Sequence, residues 1–248
     1  MDLNRRMRIY ENSSKQHLIP KVPVIIKVKG NFFNKITDND TVKMSIFKKA
    51  MELSIQNVIK EMEGFKLAYS HNDEVIFLIT DYDKDTTQSW INYDVSRIVS
   101  IVSAKFNMMF NKHLNETTSL LNRDYIFQVK CFSISESEIV NYFLWRAFDC
   151  QRNFLQNTCR MYYSSEEIYK KNLNEITDML FKVKDFSFNK LDAHFYMGSF
   201  YILNNEGNLI GTQLEENNYQ NISRIIASSL INTQQYSSFL KMHNLLPA

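Results

Sequence analysis

Apolar residues along this chain follow two rhythms, one suited to strands and one to helices. "VPVIIKVK" (22–29) is β-branched and nearly all apolar, as a strand buried on both faces should be. Met44, Phe47, Met51, Ile55, Val58 and Met62 then recur every three or four positions, predicting a helix that Asp40 is placed to cap. Leu67, Ala68 and Tyr69 precede an acidic pair, Asp73-Glu74, and Val75, Ile76, Phe77, Leu78 and Ile79 follow it. Two strands joined by a hairpin are predicted there, although "SHND" lacks the glycine usual in a tight turn. A second helix is expected from about Thr86 to Asn111, striped by Trp90, Ile91, Val95, Ile98, Val102 and Phe106. "YIFQVKCFSI" (125–134) reads as a strand.

The order strand, helix, strand, strand, helix, strand is the ferredoxin-like (βαββαβ) arrangement of an α+β fold. Its first and third strands are neighbours, so the hairpin turn sits beside the C-terminal end of strand one. Residues 1–134 would form this core and 135–217 a helical annex with a hairpin, followed by a tail at 218–248. Ser135-Glu136-Ser137-Glu138 has the form of a capping box opening a helix through roughly Tyr162. Ser164 or Ser165 with Glu166-Glu167, and Asn172 with Glu175, start two more, the latter carrying Ile176, Met179 and Leu180. "HFYMGSFYIL" and "LIGTQL" predict the hairpin. In the tail, Ile222, Ile225, Ile226, Leu230 and Ile231 are spaced as an amphipathic helix, docking most simply on its own domain.

Composition narrows the class. Lys and Arg total 29 against 27 acids, so net charge neither demands nor excludes nucleic acid. Cys131, Cys150 and Cys159 are odd in number and lack paired metal spacing, which fits reduced thiols in a cytoplasmic protein. His71, His113 and His194 have no second histidine at ligand spacing, arguing against a metal role. No apolar run approaches the roughly 18 residues of a membrane span. The start, "MDLNRRMRIYENSSK", lacks the apolar core of a signal peptide.

Five segments, in order, resemble one family. "RRMRIYE" (5–11) is similar to Asp-Arg-Met-Lys-x-Tyr-Glu, and "VPVIIKVKGNFFNKIT" (22–37) to a strand followed by Arg-Ile-Asp-Gly-Lys-x-Phe-His-x-Phe-Thr. "AYSHNDEVIFLITDYD" (68–83) resembles Ala-Tyr-x-Gln-Ser-Asp-Glu-x-Ser. "NYFLWRAFDCQRN" (141–153) matches Tyr-x-x-Trp-Arg-Gln-x-Asp-x-x-x-Asn. "KKNLNEITDMLF" (170–181) looks like Gly-Lys-x-x-x-Glu-x-x-x-Met-Leu-Phe. The resemblance, over residues 5 to about 204, is to tRNA(His) guanylyltransferase and the related 3′-to-5′ polymerases. It implies a polymerase-palm core that uses Mg²⁺ and nucleoside triphosphate to extend the 5′ end of a tRNA.

Carried over by position, Asp73 and Glu74 are the implied catalytic acids, and Asp73 with the Gly30 carbonyl the implied metal ligands. Gly30, Asn31, Phe32, Phe33 and Asn72 are implied nucleotide contacts; Arg152, Asn153 and Lys171 are implied RNA contacts. The family's other metal-binding Asp, however, is Lys29 here. An ammonium cannot ligate Mg²⁺, and it adds positive charge where two dications must assemble. Asp81, Asp83 and Asp85 fall some 20 Å away, at about 3.3 Å per residue, beyond the far end of strand three. Asp38 and Asp40 stay open as substitutes.

Other departures cluster at the same place. Phe-Asp-x-Arg becomes Phe127-Gln128-Val129-Lys130, Lys-Arg-Gly becomes Tyr196-Met197-Gly198, and the Gln after Trp-Arg becomes Ala147. The expectation is a catalytically impaired protein serving as an RNA- or nucleotide-binding or scaffold subunit, with Mg²⁺ weak or absent. The alternative is an active metal-dependent nucleotidyltransferase. Family assembly implies a homo-oligomer, or a hetero-oligomer with an active paralogue. Lys29 is expected within about 4 Å of Asp73 or Glu74, because unpaired buried carboxylates are costly. Trp145 is expected to pack within a helix face shared with Arg146, Asp149, Arg152 and Asn153.

Overall fold

The computed structural model describes residues 2–33, 40–83, 86–117, 124–183, 192–204, 206–213 and 219–230. Helix α1 (Leu3–Asn12) precedes strand β1 (Val24–Lys29), helix α2 (Thr41–Ile59) and the hairpin β2 (Phe65–His71) and β3 (Glu74–Ile79). Helix α3 (Val95–Thr117) and strand β4 (Gln128–Ser133) complete the ferredoxin-like unit. Beyond them lie α4 (Ile139–Cys159), α5 (Ser165–Ile168), α6 (Leu173–Phe181), α7 (Ala193–Met197), β5 (Ser199–Leu203), β6 (Leu209–Gln213) and α8 (Tyr219–Leu230). The strands form one antiparallel sheet in the order β4-β1-β3-β2-β5-β6. The expected α+β palm is present, and the β5–β6 hairpin extends its sheet by pairing with β2.

Burial on both faces explains the apolar strands. Val24, Ile26, Val28, Phe77 and Ile79 face α2 and α3, where Phe47, Ile55, Phe106 and Phe110 close one core. Ile25, Leu67, Tyr69, Ile76 and Leu78 face α4 and α8, meeting Phe143, Ile222 and Ile226. Ile222 and Ile226 of the tail stripe thus cover the chain's own sheet. Gly198 (φ +76°) turns α7 into β5, and a Cβ there would lie 2.3 Å from the Tyr69 hydroxyl.

Four expectations need correction. The second helix begins at Val95, not Thr86: Ile91, Asn92 and Tyr93 have positive φ, and Asp94 Oδ1 accepts from Ser96 and the Arg97 N–H. Trp90 still joins the core, from a short 3₁₀ turn. The strand expected at 125–134 pairs only over Gln128–Ser133. Upstream, Asn111 and Asn107 accept from the Tyr125 and Phe127 N–H groups, so side chains replace the ladder. Ser135 makes no cap bond; its hydroxyl meets that of Ser137 and a 3₁₀ turn leads into α4. His194 to Met197 are helical rather than extended, with the Asp192 carboxylate accepting from the His194 N–H. The boxes at Ser164/Glu167 and Asn172/Glu175 do form.

Candidate nucleotide-binding cleft

Strand β1 ends at Lys29, and the β2–β3 turn is tied to it there by the Gly30 N–H donating to the Asp73 carbonyl at 2.7 Å. The turn has two residues, Asn72 and Asp73, and Asn72 (φ +46°) supplies the left-handed conformation that a glycine would otherwise provide. Gly30 has no room for a side chain, since a Cβ would lie 2.8 Å from the Phe32 ring and 3.0 Å from Asp73 Cβ. The packing therefore draws the loop after β1 and the turn after β2 into one wall.

That wall lines a cleft of about 330 Å³ with Lys29, Gly30, Asn31, Phe32, Phe33, Asn72 and Asp73, closed from α4 by Asn153 and Asn157. Every residue expected to contact nucleotide is here. Asn153 joins them, whereas Arg152 and Lys171 line a neighbouring groove of about 510 Å³ with Gln156 and Asn172. Lys171 is paired with Glu175 at 3.3 Å. Asn157, unforeseen, follows one turn after Asn153 on the same helix.

The acidic pair is split. Asp73 sits at the turn, its Oδ2 accepting from the Phe32 N–H at 2.7 Å and the Phe33 N–H at 3.0 Å. Glu74 belongs to β3 and is buried beneath α4, contrary to its expected place at the tip. Arg146 Nε donates to its Oε1 at 2.7 Å, His71 Nε2 lies 3.3 Å from the same oxygen, and the Lys27 ammonium stands 2.8 Å from Oε2. Lys29 is also within reach of Oε2 at 3.8 Å, as expected of it, but its side chain is 58% exposed. It is a peripheral partner; closer in are the partly buried Lys27 and the buried Arg146. The clue to Lys27 was present in the sequence, because residues two apart in a strand share a face.

Electrostatics follow this packing. Burial alone would raise the Glu74 carboxyl, but His71, Arg146 and Lys27 hold it down at about 2. Burial likewise would lower His71, yet the Cys150 sulfur and Glu74 carry it up to about 9. Lys27 is pulled below its ordinary value by burial, only partly offset by Glu74.

Two-metal chemistry needs several carboxylates converging on ions about 4 Å apart. Among the described residues, Asp73 is the one acid lining the cleft, and Glu74 is turned into its cluster of cations. Asp40 is committed to α2, where its Oδ1 accepts from the Val42 and Lys43 N–H groups. Asp81 is at the far end of β3, accepting from the Lys21 N–H and the Ser89 hydroxyl. Asp38, Asp85 and Ile231 lie outside the described residues. The described donor set does not fit a two-metal centre. Trp145 also departs from expectation: it is 57% exposed, with the Arg146 guanidinium 4.7 Å from its ring centroid.

The antiparallel palm sheet carries this cleft where its β2–β3 turn meets the end of β1. The tRNAHis guanylyltransferase (Thg1) family model matches residues 4–143, so the chain belongs to that family. It is similar to a bacterial tRNA(His) guanylyltransferase (Thg1)-like protein in complex with ATP, at 23% identity and TM-score 0.80, covering 94% of this chain and 100% of that one. A second such bacterial structure, in complex with GTP, shares 24% identity at TM-score 0.66, over 85% and 89% of the two chains. The Saccharomyces cerevisiae tRNA(His) guanylyltransferase is 17% identical at TM-score 0.67, over 83% and 94%. Among sequences, Uncharacterized protein R259 of Acanthamoeba polyphaga mimivirus is 23% identical over 199 residues, 71% of this chain and 68% of that protein. No helix among the described residues is long and apolar enough to cross a membrane.

Proposed function

We propose that this chain is a divergent guanylyltransferase-family protein that binds a nucleoside triphosphate and the 5′ end of a tRNA-like RNA without two-metal nucleotidyl transfer. One observation carries the reading: an exposed ammonium, Lys29, stands where the resemblance expects a carboxylate, 3.8 Å from a Glu74 already neutralised by Lys27 and Arg146. A bound triphosphate would find charge here from Lys29 rather than from Mg²⁺, and amide groups from Asn31, Asn72, Asn153 and Asn157. The complexes of the bacterial relatives with ATP and GTP support nucleotide as the ligand class. Such a protein would serve as an RNA- and nucleotide-binding subunit, alone or beside an active paralogue.

Calorimetric titration of ATP and GTP, in EDTA and then in Mg²⁺, tests the metal's part. Affinities in the two media are expected to agree within about tenfold, ~1.4 kcal/mol. Binding seen only with Mg²⁺ would contradict the reading. A second reading, transfer through one remaining ion, is favoured by Asp73 alone, which still faces the cleft.

A further inference from the structure

Beside the cleft, the sheet face under α4 is only partly covered. The register sets Ile25 opposite Phe132, Lys27 opposite Lys130 and Lys29 opposite Gln128. Directly opposed residues share a face. Helix α4 covers the Ile25 end with Phe143 and Ala147. At the other end Lys29, Gln128 and Lys130 are exposed, and Lys130 has no ion-pair partner among the described residues. Along the border runs a line of rings: Phe132 and Tyr142 centroids are 5.8 Å apart, and so are those of Tyr142 and Trp145.

Trp145 is the odd member, with more than half its surface open. Its neighbour Arg146 is buried, pinned by Glu74 and Asp149, and lies against the indole ring. A cation held against one side leaves a firmly placed, flat, electron-rich surface, the form that accepts a stacked nucleobase. Arg146 and Glu74 link the indole to the exposed Lys29, and Lys130 lies opposite Lys27 on the same sheet face, so these lysines supply what the phosphates between bases need. Lys29 belongs to both this face and the cleft lining, so the two surfaces are continuous.

We infer that Trp145, Lys130 and Lys29 form a shelf that receives a single-stranded stretch of RNA, one base stacked on the indole and phosphates against the lysines. The inference rests on the reading that an RNA end enters the adjoining cleft. A second copy of this chain is the poorer occupant, because a two-fold contact would bring the exposed lysines of both copies towards one another.

The chain has two tryptophans, and Trp90 is buried, so the full-length Trp90→Phe variant reports Trp145 alone by fluorescence. The probe is a 5′-phosphorylated single-stranded oligoribonucleotide of about eight nucleotides, within the range of single-strand site sizes. Expected are quenching of Trp145, a loss of affinity of roughly 5- to 150-fold in Trp145→Ala, and partial retention in Trp145→Phe. Lys130→Ala should weaken binding and lower its salt dependence by about one ion. ATP titrated into the wild-type protein reports the cleft separately. ATP binding without Trp145 quenching, or with undiminished RNA affinity in Trp145→Ala, overturns the shelf and leaves the cleft reading standing. Failure of both ligands overturns both. Trp145 emission that changes with protein concentration, with a mass that falls in Trp145→Ala by light scattering, shows a copy-to-copy interface and overturns the RNA assignment.

Discussion

Replacing Glu74 with glutamine should lower stability by about 3–5 kcal/mol, the cost of removing one partner from a buried ion pair. The reason is its surroundings: the Lys27 ammonium at 2.8 Å loses its carboxylate inside the sheet–helix interface, and the buried Arg146, whose Nε is at 2.7 Å, keeps only Asp149. An acid kept only for catalysis would give the opposite result, since removing it relieves repulsion. The variant should also flatten the pH profile. The Glu74 carboxyl is depressed, so its contribution is present above the ordinary value of 4.5 and is lost as pH falls through about 2. His71 is raised, so its contribution is present below 6.5 and is lost as pH rises through about 9. Wild type should therefore be most stable between 4.5 and 6.5, and Glu74→Gln should lose the acid-side dependence and weaken the alkaline one, where the Cys150 sulfur still acts on His71. Urea unfolding across pH checks both points; a loss below about 1 kcal/mol would place the pair in the weak class of exposed ion pairs and refute its structural role.

Lys29→Asp should create a cation site. It sets a second carboxylate at the end of β1 beside Asp73, removes the ammonium, and leaves Glu74 held by Lys27 and Arg146. Mn²⁺ and Mg²⁺ affinity should rise by at least about tenfold, or ~1.4 kcal/mol. Stability should change little, within about 1 kcal/mol, because Lys29 is mostly exposed and 3.8 Å from its partner. Transfer activity is not expected to return with the metal: Gln128, Tyr196 and Met197 still stand where the resemblance has an acid and two cations. Titration of Mn²⁺, followed by proton relaxation of water, measures the change. Equal affinity in wild type and Lys29→Asp would mean that the lysine replaces nothing.

Much of the fold was legible because burial on both faces leaves an unbroken apolar run, as in Val24–Val28, and because α2 repeats its apolar residues with helical spacing. Where the reading slipped, a local signal was outweighed by packing. Trp90 and Ile91 continue the apolar stripe of α3, but positive φ at Ile91, Asn92 and Tyr93 separates them from the helix, and Asp94 caps it instead. In the cleft, the residues supplied by contiguous sequence, Lys29 to Phe33 and Asn72-Asp73, were found through the resemblance. Of the partners of Glu74, Lys29 was anticipated but Arg146 and Lys27 were not, since Arg146 is 72 residues away and Lys27 reaches it across the β1–β3 pairing. Helical spacing placed Trp145 on a shared face, but could not show that its indole is left more than half exposed.

The most direct test of the central claim is incubation of the wild-type protein with labelled GTP or ATP, Mg²⁺ and 5′-mono- or triphosphorylated tRNA. Nucleotide should bind while no label reaches the RNA. Label that appears on the RNA, and disappears in Asp73→Ala, would contradict the account and make this chain an active nucleotidyltransferase.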